Sequence, residues 1–252
     1  MKDTEDAIPR LSRRDQRREE LLTEIGTVTR DLLVAEGAPA VTMAAVAERL
    51  GVTPPALYRY VDGRSGLLDL ACASVARELA TELVKYRETL GPDPLERALG
   101  VCRRFRQWSL DHREEFNLAF AHPAGRRVLL TASSATDDEV CAAELELAWV
   151  FEETLLRLWA ARPFPVAPDD DLPPRLRDEL RGYRDQLLAK AAHVGLDVGE
   201  PPIQAVAVLL EFWTRLYGLV SMEVFGHLAH AVGDAEPLFE AALADLARRV
   251  GG

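Results

Sequence analysis

Long apolar runs are missing from this 252-residue chain, and none approaches the roughly 18 uninterrupted residues that a membrane span needs. Cysteine is scarce. Cys72, Cys102 and Cys141 lie far apart in helix-like apolar surroundings, which fits packed, reduced thiols better than a disulfide frame or a zinc site. The opening MKDTEDAIPR has neither a signal nor a transit pattern, so the expectation is a soluble, cytoplasmic protein with no membrane partner. Convincing strand alternation is absent. So are a Gly-rich phosphate loop, a Gly-x-Ser-x-Gly elbow and a Cys/His nucleophile pattern. The acidic run Asp169, Asp170 and Asp171 falls in a proline-rich loop rather than on a helix facing a cavity. His227 and His230 share a helix face, but no third ligand completes a metal set. No catalytic residue, metal or cofactor is therefore assigned, and an enzyme is not expected.

With 48% hydrophobic and 28% charged residues, the chain can bury a sizeable core. Its net charge of -11 is spread unevenly. Residues 10–64 hold nine arginines against eight carboxylates, whereas residues 65–252 hold 20 basic and 30 acidic side chains. Two explanations are open: an acidic body leaves a near-neutral N-terminal module to face a polyanion, or solubility alone set the pattern.

Helical periodicity dominates. Residues 1–17 read as a flexible basic arm, with five arginines in RLSRRDQRR, residues 10–18. Leu21, Leu22, Ile25, Val28, Leu32 and Leu33 then mark an amphipathic helix that stops at Gly37. Thr42 is the expected N-cap of a two-turn helix ending at Gly51, and Thr53 that of a second short helix reaching Tyr60. Further helices are expected over 67–90, 93–110, 114–121, from Asp137 or Asp138 to 161, and over 175–194, 202–232 and 236–250. The helices beginning near Val140 and at Pro202 are apolar on two faces. They are either the seam of a four-helix dimer or the central helices of one large bundle.

Pro54 and Pro55 would be costly inside a helix, yet behind an N-cap Thr53 they occupy positions whose amides have no intrahelical acceptor. Their rings preorganise the first turn. Ala47, Gly51 and Leu57 add a close crossing, a turn and a core plug, which is helix-turn-helix logic. The longer string T-x10-T-x3-LYRYV-x2-R-x2-L, residues 42–67, resembles the DNA-binding domain of TetR family transcriptional regulators, and the resemblance covers about residues 17–70. The resemblance implies an all-α fold: a helix-turn-helix domain over 18–66, then a ligand-binding and dimerisation domain over 67–252. It implies a homodimer that binds a palindromic double-stranded operator and answers to a small-molecule effector. Thr42 and Thr53 would meet phosphates, or serve as caps alone. Pro54, Pro55 and Ala56 would touch thymine methyls, Tyr58 and Tyr60 backbone or base edges, Arg59 a guanine, and Arg64 a phosphate.

FWTRLYGLVSMEVFGHL, residues 212–228, is similar to a TetR subgroup marked by W-x3-H-G, here Trp213, Tyr217 and Gly218, with tyrosine replacing histidine. A pocket in that domain would draw on Phe105, Trp108, His112, Phe116, Phe120, Trp149, Trp213 and Tyr217, each of which could equally be plain core. So many rings with polar tips suit an apolar ligand bearing one or two hydrogen-bonding groups.

Overall fold

A computed structural model describes residues 13–121 and 139–251, and every regular element among them is helical. In chain order these are α1 (Arg13–Glu36), a 3-10 turn (Ala38–Ala40), α2 (Met43–Arg49), α3 (Pro54–Leu57), α4 (Gly63–Thr89), α5 (Pro94–Asp111) and α6 (Arg113–Phe116), which runs into a π-helical turn, Asn117–Ala121. After them come α7 (Glu139–Ala161), a 3-10 turn (Asp169–Asp171), α8 (Pro174–His193), α9 (Ile203–Val224) and α10 (Glu236–Gly251). The expected helix start at Asp137 or Asp138, residues 1–12 and the Cys141 side chain lie outside the described residues.

Three expectations need correction. Helix α1 begins at Arg13, so residues 13–17 are its first turns rather than part of an arm; arginine-rich turns carry no apolar period to reveal them. The C-terminal helix expected to reach residue 232 ends at Val224, where the His227 amide reaches back 2.8 Å to the Met222 carbonyl around Gly226. His227 and His230 therefore lie in turns and share no helix face. The second short helix ends at Leu57 instead of Tyr60, as described below.

The chain divides into two compact units, with cuts after Arg77, Arg113 and Glu144, so the expected boundary at 66/67 falls inside α4. In the first unit α1 packs on α2 and α2 on α3, with Ile25, Leu32, Val46, Ala47, Leu57 and Leu67 in the core. Gly26 lies at the tightest point. A Cβ there would stand 2.5 Å from the Leu70 carbonyl oxygen, so no other residue allows α1 and α4 this approach.

In the second unit α9 packs against α5, α8 and α10, with Ala205, Val206, Leu209, Phe212, Leu216 and Val220 buried. Its two apolar faces are thus largely covered within one chain. At 22 residues and a mean hydropathy of 1.3, α9 has the length and composition of a membrane span. Yet Glu211 and Arg215 pair at 3.0 Å with Arg249 and Asp245 of α10, as befits the core helix of a helical bundle. Asp169, from the acidic run, caps this helix by accepting the Ile203 and Gln204 amides at 3.2 and 2.9 Å. Among the described residues no group of three His, Cys, Asp or Glu could hold a metal ion.

Replacing Gly26 with alanine should destabilise the first unit by about 1 to 3 kcal/mol or more, because the new methyl meets backbone rather than a movable side chain. Chemical denaturation monitored through the first unit reads this directly.

Candidate nucleic-acid interface and ligand cavity

The α2–turn–α3 segment is set by a few local constraints. Thr42 is extended (φ -130°, ψ 155°), and its hydroxyl accepts the Ala45 amide at 3.1 Å. At the other end of α2, Gly51 takes φ +68°. Its amide donates to the Glu48 carbonyl at 3.1 Å and the Val52 amide to the Ala47 carbonyl at 2.9 Å, which closes the helix and turns the chain. Thr53 then stands at the cap position of α3 but makes no side-chain cap. The prolines explain why. Pro55 has no amide to offer, and the Ala56 amide is already 2.9 Å from the Thr53 carbonyl. The Thr53 hydroxyl is left with no partner among the described residues.

Helix α3 is one turn long. The Tyr58 amide still bonds the Pro54 carbonyl at 3.1 Å, but Arg59 and Tyr60 bond back only three residues, to Ala56 and Leu57 at 3.2 and 3.0 Å. The end of the helix tightens, and Tyr58, Arg59 and Tyr60 occupy a turn. Leu57, 2% exposed, and Val61 plug the core beneath. Thr42, Thr53, Pro54, Pro55, Tyr58, Arg59 and Tyr60 are exposed, and Ala56 is half-buried. Tyr58 is 60% exposed, unusual for a large ring without an external partner. Arg59 has no ion pair or hydrogen bond among the described residues. Arg64 is also exposed, but its Nε–H and Nη2–H donate to the Val41 and Ala38 carbonyls at 3.0 and 2.7 Å.

The aromatic side chains expected around a pocket fall into separate groups. Phe105, Trp213 and Tyr217 come together in the second unit, joined by Phe151: Phe105 and Trp213 centroids are 6.0 Å apart, Phe151 lies 4.5 Å from Trp213 and 5.4 Å from Phe105, and Tyr217 lies 6.0 Å from Trp213. Trp108 stacks on His112 at 4.9 Å. Trp149 packs beside the α8–α9 core, with the Lys190 ammonium 5.8 Å from its ring. Phe116 and Phe120 pair at 4.7 Å in the first unit.

A cavity of about 30 Å³ opens between α5, α7, α9 and α10, lined by Phe151, Thr154, Phe212, Trp213, Phe239 and Leu243 among others. Of the eight expected pocket residues only Trp213 lines it. Phe151, Phe212 and Phe239 were missed because helical periodicity marks a residue as buried without saying what it faces. Cys102 also lines the cavity, and burial pushes its thiol up to about 12, so it stays protonated. Thr154 and Arg215 are polar lining residues; the Thr154 hydroxyl accepts from Arg87 Nη1 at 3.1 Å and donates to the Val150 carbonyl at 2.6 Å. Arg87, only 6% exposed, also meets Glu153 at 3.1 Å. Burial pushes Glu153 up, but its bonds to Arg157 and Arg87 outweigh this and hold its pKa below the ordinary value.

The profile of the bacterial regulatory proteins of the tetR family matches residues 25–71, and that of the Tetracyclin repressor-like C-terminal domain matches residues 98–246, more than half of the chain. The chain belongs to the TetR family. This TetR-family chain is 23% identical over 234 residues to the HTH-type transcriptional regulator Rv1816 of Mycobacterium tuberculosis, covering 92% of this chain and 93% of that one. The HTH-type transcriptional regulator Mb1846 of Mycobacterium bovis matches with the same values. The crystal structure of SCO4313, named as a regulatory protein, superposes with a TM-score of 0.59 at 26% identity, over 95% of this chain and 98% of that one. A Rhodococcus sp. RHA1 protein of unknown function shares the fold with a TM-score of 0.60 at 15% identity, over 92% and 96%. As a TetR-family transcriptional regulator, the protein carries its helix-turn-helix in the first unit and the cavity in the second.

The two threonines should separate by experiment. Thr42→Ala removes a formed cap and should lower unfolding free energy by about 1 kcal/mol. Thr53→Ala removes no internal bond and should change it by less than about 0.5 kcal/mol, as read by chemical denaturation of both variants.

Proposed function

We propose that this TetR-family regulator is a homodimeric repressor that lays two copies of α3 in successive major grooves of a palindromic operator and is released by a small, largely apolar ligand. The observation that carries this reading is the row of unpartnered groups at α3: a Thr53 hydroxyl freed by two prolines, exposed tyrosines, and an Arg59 with no internal partner. Thr42 and Thr53 meet phosphate oxygens; Pro54, Pro55 and Ala56 contact thymine methyls; Tyr58 and Tyr60 contact backbone or base edges. Arg59 grips guanine O6 and N7. The half-sites lie about 34 to 36 Å apart, one turn of DNA. Such a protein works where the DNA is, in the cytoplasm.

Charge on α1 fits the same reading. Arg13, Arg14, Arg17 and Arg18 are exposed and without internal partners among the described residues. At 3.6 residues per turn they fall within about 140° of arc on α1, a concentration of positive charge suited to phosphates. The partially covered outer parts of α7 and α9, including Leu145 and Leu210, form the dimer seam with their symmetry mates.

A cavity of about 30 Å³ has room for about two waters, so an effector must widen it. Phe151 and Trp213 with neighbouring Phe105 and Tyr217 receive the apolar part, and Thr154 supplies the polar contact. Thr154 also holds Arg87 in the last turns of α4, the helix whose first turns belong to the DNA-binding unit. A ligand that prefers the widened state shifts α4 and so the spacing of the two recognition helices. Placement in the W-x3-H-G subgroup rests on Trp213, Tyr217 and Gly218, with tyrosine in place of histidine, and on the similarity of residues 105–123 to the same subgroup.

Arg59→Ala should relax discrimination at one base position per half-site by about 1 to 3 kcal/mol, with little change elsewhere. Competition binding over a library of single-base operator variants checks this. A uniform loss across all variants would remove Arg59 from base readout.

A further inference from the structure

We propose that Arg64 is a positioning residue for DNA binding: it clamps the α1–α2 connection, and through it the N-terminus of α2, instead of gripping a phosphate. This inference rests on the DNA-binding reading above and departs from the role that the family resemblance implies.

The clamp is bidentate. Arg64 is the second residue of α4, and its guanidinium donates from Nε to the Val41 carbonyl at 3.0 Å and from Nη2 to the Ala38 carbonyl at 2.7 Å. Both acceptors belong to the short segment that joins α1 to α2. The segment's own bonds run from the Gly37 amide to the Leu33 carbonyl, from the Ala40 amide to the Gly37 carbonyl and from the Val41 amide to the Ala38 carbonyl, at 2.8, 3.1 and 3.3 Å. An ion pair between Glu36 and Arg49 ties the end of α1 to the end of α2 just before it. Val41 is fully buried, and the next residue is Thr42, whose hydroxyl caps α2.

Two carbonyls three residues apart fit the planar fork of one guanidinium, and a lysine ammonium cannot hold both in that geometry. With Nε and one Nη committed, the orientation of the group is dictated by the protein. Three N–H groups remain free, so geometry alone leaves a phosphate contact feasible, and the two roles must be separated by salt dependence.

The test uses full-length wild type, Arg64→Lys and Arg64→Gln on one genomic duplex selected by the wild-type protein, with affinity measured against salt below the melting temperature of each. A positioning role predicts that both variants lose affinity by roughly tenfold, the scale of a lost charge-assisted hydrogen bond. They should lose it alike on every duplex, with the slope of log affinity against log salt unchanged. Without DNA, amide exchange over residues 38–45 should be faster in both. Thr42→Ala should cost less affinity in the Arg64→Lys background than alone, since the cap it removes is already misplaced.

If Arg64→Lys keeps wild-type affinity while Arg64→Gln lowers the slope by about 0.9 per subunit, Arg64 is a phosphate contact and the proposal is wrong. Unchanged affinity in both variants, with only melting affected, also overturns it. Should the wild type bind no duplex, the DNA-binding reading itself fails, and that result is visible before any variant is made.

Discussion

A one-turn helix cannot hold its own shape in water, because the cost of fixing its dihedrals is not met by the one or two hydrogen bonds it forms. Helix α3 is such a helix, and the proposed DNA-binding surface depends on what fixes it from outside. Proline rings set φ at its first two positions, Leu57 and Val61 bury beneath it, and Gly51 turns α2 into it at a positive φ. Each constraint also has a consequence for exposure. The prolines that stiffen α3 remove the amide that the Thr53 hydroxyl would otherwise cap, so one sequence feature both orders the helix and frees a polar group at its leading end.

The second unit works by different means. Its core is apolar, and the buried charge it contains is matched: Arg87 meets Glu153 and Thr154, and Glu152 accepts from Tyr183 and Lys190 at 2.8 and 3.0 Å. Paired groups of this kind are expensive to part and geometrically exacting, so they add less to stability than to fixing how helices meet. Thr154 stands at the edge of the small cavity and in the polar junction at once. Under the proposed ligand response, that double placement would give an effector a physical route to α4, since a group competing for Thr154 would loosen Arg87.

The helix-turn-helix was legible because its signals are local. Thr42, Gly51, the paired prolines and Leu57 each act within a few residues, and their spacing survives in the bare sequence. The same holds for Asp93, which caps α5 by accepting the Leu95 amide at 2.8 Å. Gly226 is an equally local stop signal, but the apolar pattern runs on beyond it and masks it. The rest depends on contacts between distant residues. Nothing in the run EIGTV says that Gly26 lies against the Leu70 backbone, and nothing beside Arg64 says that its fork holds carbonyls 23 and 26 residues away. Aromatic rings at helical spacing told which side chains to bury but not which neighbours they meet. The expected pocket set therefore falls into several clusters, with Phe151, absent from that set, packed against both Phe105 and Trp213.

In the proposed complex a proline-headed turn, repeated by two-fold symmetry, lies against duplex DNA. Footprinting the purified protein on the DNA that flanks its own coding region tests this most directly. Two half-sites should be protected, with centres about 10 base pairs apart, and the protection should fade steeply as salt rises. A monomeric protein that protects no duplex at low ionic strength would contradict it.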